Sequence, residues 1–264
     1  MTDGHRQAVF DALGLTPWQR RAGGPLGPPN RDYDAAREAC AAAHDVDAEA
    51  EAKVADMPAA TSSSSKCDEY VPDAAAGDCA GLDWDELEAY LERCDHRGAS
   101  QPVFGVGART ADVLIVGEAP GAEEDRQGEP FVGRSGRLLD QMLAEIDCSR
   151  TSNVFITNIC KFRPPDNRDP TAAEVAADWP ILERQIELMA PKLVVATGRV
   201  AAQTLLASTV SLGRLRGQRH RYPGRDLDVI VTYHPAFLLR SPQQKAKAWI
   251  DLCAIADCIE TAAL

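Results

Sequence analysis

From residue 111 onward the chain alternates short apolar runs with longer stretches of helical periodicity. Four runs, Val113–Val116, Val154–Thr157, Leu193–Ala196 and Val229–Thr232, are rich in β-branched residues and bounded by turn residues, which predicts buried strands. Helical patterning falls between them at Arg137–Ile146, Thr171–Met189 and Val200–Ala207, with a last stretch over Gln243–Ile259. A further helix is predicted over Trp84–Arg93, where the folded domain opens. This alternation predicts an α/β fold in three αβα layers, with a central four-stranded, mostly parallel sheet. Ligands of such sheets bind at the carboxyl ends of the strands. The unusual residues sit there: Gly117-Glu118-Ala119-Pro120-Gly121 after the first strand, Asn158 after the second, Gly198 after the third and His234 after the fourth.

The first third of the chain is a different material. His5–Arg21 predicts a short amphipathic helix with Val9, Phe10, Leu13 and Trp18 near one face. Residues 22–81 hold a Gly/Pro stretch, an Ala/Asp/Glu run and the serine tract Ser62–Ser65. Such a composition buries little apolar surface, so a mostly disordered acidic linker is expected, with a transient helix around Asp34–Ala52. The expected division is therefore 1–21, 22–81 and a folded domain over 82–264.

Composition and charge change the picture in three places. No apolar run approaches the roughly 18 residues of a membrane span, and Met1–Arg21 lacks a secretory pattern, so a cytoplasmic, monomeric protein is expected. Eight cysteines occur with no C-x-x-C pair, which favours separate reduced thiols over disulfides or a metal knot. The net charge of −12 opposes general attraction to phosphate. Residues 1–82 carry 7 Lys and Arg against 14 Asp and Glu, leaving 21 against 26 for the remainder. A site that handles one nucleotide needs only a local basic rim, so nucleic acid stays open as a partner. The acidic extension is a candidate for a further, unidentified partner.

Four segments carry candidate chemistry. In Gly117–Asp125, glycines and a proline let the backbone turn close to a ligand, and Glu118 can orient or deprotonate a water; an ordinary acidic loop reads the same way. In Pro130–Gly136, glycines open a helix whose N–H groups, with Arg134 and Ser135, can hold a phosphate. Phe131 there is either core or a platform for a stacked base. Asn158 carries a donor and an acceptor suited to an amide-like base edge. Lys161, Arg163, Asn167 and Arg168 follow it around rigid prolines and suit backbone phosphates, or form a solvated turn. His234, pinned by Pro235, can stabilise negative charge on an oxygen, and Leu238 beside Arg240 can push into a base stack.

Taken together, GEAPG..ED, PFVG..G, an Asn ahead of KFRPPDNR, and HPAFLLR resemble the family 4 uracil-DNA glycosylases over roughly Leu82 to the C-terminus. The resemblance implies removal of uracil from DNA by flipping the nucleotide into a pocket. It implies that Phe131 stacks on uracil between the Gly117–Ala119 loop and Asn158, and that Asn158 reads N3–H and O4. His234 would donate to O2, Leu238 would fill the vacated stack and Glu118 would position the water. Glu124 and Asn167 match further positions important to the family, Glu124 on the catalytic side. Arg134, Ser135, Lys161, Arg163, Arg168 and Arg240 would face DNA.

The family usually carries a [4Fe–4S] cluster on four cysteines. Here Cys94 falls near one ligand position, while Leu91, Phe162 and Asp178 occupy the other three. Cys160, expected on a strand and on the same face as Phe162, is two residues off. No cofactor and no metal are therefore expected, with Phe162 packing into the space. Two rival readings remain: a non-catalytic module on the same fold that binds uracil or single-stranded DNA, and an unrelated nucleotide-binding α/β protein. Neither a G-x-G-x-x-G fingerprint after the first strand nor a P-loop supports the second.

Overall fold

The computed structural model describes residues 79–262. The helix expected at 5–21, the transient helix at 34–52 and nearly all of the 22–81 linker lie outside the described residues. Helix α1 (Trp84–Glu92) opens the domain, followed by β1 (Val106–Gly107), β2 (Val113–Gly117), α2 (Ala122–Gln127) and α3 (Gly133–Ala144). Then come β3 (Val154–Asn158), a 3-10 turn at Pro165–Asn167, α4 (Ala172–Met189), β4 (Leu193–Thr197), α5 (Arg199–Leu205) and α6 (Leu212–Leu215). The chain closes with β5 (Arg219–Arg221), β6 (Asp228–Thr232), α7 (Pro235–Arg240), a second 3-10 turn and α8 (Lys245–Ala262).

The strands form one sheet in the order β1-β3-β2-β4-β6-β5. The four expected strands are its parallel centre, and the pairs β2–β3, β2–β4 and β4–β6 each run in register. Their valines and isoleucines are buried on both faces, as a sheet covered by helices requires. The sheet is wider than the apolar runs predict, because two antiparallel edge strands flank the centre. β1 is only two residues long and β5 is the polar triplet Arg-His-Arg, so neither carries an apolar run. α2, α6 and α7 are short helices that the periodicity likewise does not announce.

Period-two alternation divides the strand side chains between two helical layers. On one face Val113, Ile115 and Val195 meet Leu139 and Met142 of α3 and Leu252 of α8. On the other, Thr157 turns towards α4, where its Oγ1 and Gln185 Oε1 both accept from the Lys161 ammonium. Capping boxes start the helices that flank this second face: Asp83 with Glu86 for α1, and Thr171 with Glu174 for α4.

Below that face α1 and α4 enclose a small second core of Leu87, Leu91, Phe104, Phe162 and Ile181. A charged pair sits against it. Both oxygens of Asp178 accept from Arg97 at 2.7 Å, and Oδ2 also accepts from the backbone N–H of Lys161 at 2.7 Å. The Arg97 guanidinium lies 4.8 Å over the Phe162 ring, and His96 stacks on the same ring at 5.2 Å. Cys160 lies beyond the end of β3 rather than on it, since the strand stops at Asn158.

Deleting one partner of a buried, hydrogen-bonded pair leaves the others unpaired, which costs more than the pair itself contributes. Asp178→Ala is therefore expected to destabilise the domain by about 3 kcal/mol, measured as a lower midpoint in urea unfolding. A midpoint unchanged from wild type would show that Arg97 and the Lys161 amide find other partners at no cost.

Candidate functional site

Four loops leave the parallel strands at their carboxyl ends and converge. Gly117 ends β2 directly opposite Asn158, which ends β3. A Cβ on Gly117 would stand 2.3 Å from Asn158 Oδ1 and 2.6 Å from the Phe131 ring, so only glycine lets these two side chains meet there. Phe131 in turn stacks on His234, with ring centroids 5.2 Å apart and planes at 27°. The structure thus brings Gly117, Phe131, Asn158 and His234 into one cluster from four separate segments.

Phe131 reaches that position at a backbone cost. Its φ of +52° is a left-handed conformation that a bulky residue rarely adopts. The segment is held from beneath by Arg150, whose guanidinium donates to Pro130 O at 2.8 Å and Phe131 O at 2.5 Å while pairing with Asp140. Gly136 belongs to the same clamp, because a Cβ there would overlap Phe131 O at 1.6 Å. Glu124 ties this segment to the Gly117–Gly121 loop: one carboxylate oxygen accepts from Val132 N at 3.1 Å and the other from Gly121 N at 3.2 Å. Both oxygens are committed to backbone, so Glu124 braces the pocket rather than facing a reactant.

His234 caps α7 with its ring. Nδ1 accepts from the Ala236 N–H at 3.1 Å, so the neutral ring carries its proton on Nε2. Burial, with Arg240 adding to it, pushes its pKa down to about 4, and the ring is a neutral donor at neutral pH. Glu118 moves the opposite way. Burial first, then the nearby Asp169 carboxylate, raise its pKa to about 7, with Arg199 opposing. Asp169 and Arg199 are themselves paired at 2.7 Å and line a groove of about 210 Å³ with Val175 and Gln203. A half-buried carboxylate with a pKa near neutrality is suited to take a proton from water.

The residues expected to face DNA divide into two groups. Arg134, Arg168, Asn167 and Arg240 are exposed, and Ser135 and Arg163 are partly so. Arg168 is held by both oxygens of Glu174 at 2.8 Å, and Arg163 donates to Asn167 Oδ1 at 2.8 Å. Lys161 and Leu238 are placed otherwise. Lys161 is fully buried with its ammonium turned inward, which removes it from any DNA-facing surface. Leu238 is 1% exposed, on the short helix α7 beside α3, so as folded it does not project as a wedge. Sequence reasoning missed Arg150, Asp169, Arg199 and Gln185. Only Arg199, directly after the strand-end Gly198, had a positional signal.

The positions at which the resemblance implies an iron–sulfur cluster do not fit one. Leu91 and Phe162 are core residues, Asp178 is committed to Arg97 and the Lys161 amide, and Cys94 donates its thiol to Tyr90 O. Among the described residues no group of three or more His, Cys, Asp or Glu is arranged to hold a metal ion. No helix among them is long and apolar enough to cross a membrane.

Comparison with known proteins places this geometry. Residues 104–253 match the Uracil DNA glycosylase superfamily. A type-4 uracil-DNA glycosylase of Archaeoglobus fulgidus is 41% identical over 172 residues, covering 62% of this chain and 86% of that protein. One from Pyrobaculum aerophilum is 38% identical over 181 residues, covering 65% and 92%. A type-5 uracil-DNA glycosylase of Thermus thermophilus is 34% identical over 154 residues, covering 51% and 69%. The matches span the strand ends at which the pocket is built, and on their extent the chain belongs to the Uracil DNA glycosylase superfamily.

Proposed function

We propose that the cluster at the strand ends is where a uracil nucleotide, flipped out of DNA, is read and cut. The reaction is hydrolysis of the bond joining uracil to deoxyribose, which frees the base, leaves an abasic site and serves DNA repair. The observation that carries the assignment of roles is the meeting of Phe131, Asn158 and His234 around a position that only Gly117 leaves open. The Phe131 ring supports the flat base. Asn158 pairs with N3–H and O4, a pattern that cytosine reverses, so the amide supplies specificity. His234, neutral with its proton on Nε2, donates to O2 as the base departs with the bonding electrons. Glu118, as carboxylate, orients a water towards the sugar carbon and accepts its proton. Glu124 and Arg150 hold the two loops in register. Arg134, Ser135, Arg163, Arg168 and Arg240 form the rim that meets phosphate, with Asn167 orienting Arg163.

The iron–sulfur cluster is absent on this reading, and its space is closed by Phe162 under Arg97 and Asp178. The catalytic domain is assigned to residues 82–264, and the acidic residues before it, 1–21 and 22–81, are assigned to a separate, unidentified partner.

Incubation with an oligonucleotide carrying one uracil, followed by alkaline cleavage of the strand, tests the assignment. Wild type is expected to cut at the uracil, with single-turnover rates about 100-fold lower or worse in His234→Ala and Glu118→Gln. Because Glu118 acts as the carboxylate and its pKa is raised to about 7, the rate should fall as pH drops below 7. The acid limb should vanish in Glu118→Gln, and His234 should add no limb above pH 5. Binding without cutting by wild type would instead make the domain a uracil- or strand-binding module. A Glu118→Gln variant with full activity would remove that residue from the mechanism.

Metal content is a separate check. Protein purified without air should show no broad absorbance near roughly 400 nm and no iron, whereas about four irons per chain would overturn the loss of the cluster.

A further inference from the structure

Among the described residues Lys161 is a fully buried cation directly behind Asn158, and the mechanism above does not use it. Its Nζ donates to Thr157 Oγ1 at 2.6 Å, Gln185 Oε1 at 2.7 Å and the main-chain oxygen of Asn158 at 2.9 Å. All three are acceptors in this arrangement. Thr157 Oγ1 and Gln185 Nε2 each spend a donor on Phe104 O at 2.9 Å, which turns the Gln185 oxygen and the Thr157 lone pairs towards the lysine. A neutral amine has two protons and could satisfy two of these acceptors; an ammonium satisfies all three. Burial pulls the pKa of the amine down to about 7 while Asp178 opposes it, and three acceptors around Nζ favour the ammonium over the amine.

The charge is not cancelled by a carboxylate at the ammonium. Asp178, the charged group that acts on it most, is turned to the Lys161 backbone amide and is already matched by Arg97. The two cations and one carboxylate leave a net positive charge in the interior, one peptide group behind the base-reading Asn158. Departure of uracil places a full negative charge on the base, and the groups that touch it, neutral His234 and the Asn158 amide, bring only dipoles. Fixed charge in a dry interior acts on such an anion far more strongly than in water.

We propose that Lys161 is a positioning residue whose buried ammonium fixes the Asn158 peptide and, through it, polarises the pocket in favour of the departing uracil anion. The proposal rests on the uracil-excision reading and adds to it the source of positive potential.

The test compares two leaving groups. In the same oligonucleotide, 5-fluorouracil departs as a more stable anion than uracil, so a group that stabilises the anion matters less for it. Lys161→Met keeps the length and apolar stem of the side chain and removes the charge. Single-turnover excision of uracil is expected to fall about 100-fold, and that of 5-fluorouracil about tenfold or less. Affinity for DNA carrying non-hydrolysable 2′-fluoro-2′-deoxyuridine should stay within about threefold, since that ground state bears no anion. Gln185→Glu, which leaves the lysine and sets a carboxylate against it, should give the same leaving-group pattern and serves if Lys161→Met does not fold. Equal losses on both bases, or a matching loss of analogue affinity, would reduce Lys161 to a brace for the fold and overturn the proposal. Failure of wild type to excise either base would overturn the excision reading itself, and this proposal with it.

Discussion

The pocket depends on how the chain between Asn158 and Arg163 satisfies its polar groups while buried. This segment leaves the sheet at β3 and passes through the interior without a strand or helix of its own. Unpaired backbone groups in such a place are costly, so their partners must come from elsewhere. Ile159 and Cys160 donate to Gly117 O and Glu118 O, and Val103 donates to Lys161 O, while the Lys161 amide and ammonium are met from one face of α4, where Asp178 and Gln185 stand seven residues apart, two turns of helix on the same side. Asp178 takes the Lys161 amide and Gln185 takes the Lys161 ammonium. The end of β3 at Asn158 is thereby tied both to the loop after β2 and to α4, a helix on the far side of the sheet from α3 and α8. The capping box at Thr171 and Glu174 that starts α4 belongs to the same chain of constraint.

Around that fixed point the pocket separates charge from contact. On the proposed reading the residues that meet the base are neutral or hydrophobic: Phe131, Asn158 and a histidine whose ring proton is directed by the Ala236 amide. Charge is kept one layer back, with the Glu118 carboxylate beside Asp169 and Arg199 at the rim of the groove and the Lys161 ammonium beneath. A protonated histidine would bind an anion more strongly, but a buried imidazolium is costly to form. A neutral donor over a fixed interior cation avoids that cost at the moment of reaction. The strain stored in the φ of Phe131 has a matching explanation, since Arg150 and Gly136 hold in place a conformation that would otherwise relax.

What the sequence made legible follows from these forces. The four parallel strands carry their own apolar runs, so their positions could be read to within a residue. The edge strands could not, because β5 is polar and β1 has two residues whose pairing is imposed by β3. Strand-end residues stood out because they break the apolar pattern, and Gly117, Asn158 and His234 do lie together. The direction in which a side chain points was not legible. Lys161 in a stretch rich in arginine and proline reads as a phosphate ligand, and only the presence of Gln185 and Thr157 turns it inward. The same holds for Glu124, whose two backbone partners lie in different loops, and for Leu238, which is buried on α7 beside α3. Arg150 and Asp169 act through geometry that no local motif encodes.

The acidic balance of the chain gains a physical meaning once the rim is seen. Several arginines that could meet phosphate already hold carboxylates: Arg168 with Glu174 and Arg199 with Asp169. For these, a contact with DNA is an exchange of one anion for another, and its net contribution is smaller than that of an unpaired cation. Among the described residues no carboxylate is paired with Arg134 or Arg240, one at the start of α3, just after Phe131, and one at the end of α7, which His234 caps. Charge not held by a carboxylate is thus present on both segments that flank the proposed cluster. On the proposed reading, a protein with net negative charge holds a nucleotide at one point while having little general attraction for the duplex, which favours local engagement at the uracil over tight non-specific binding.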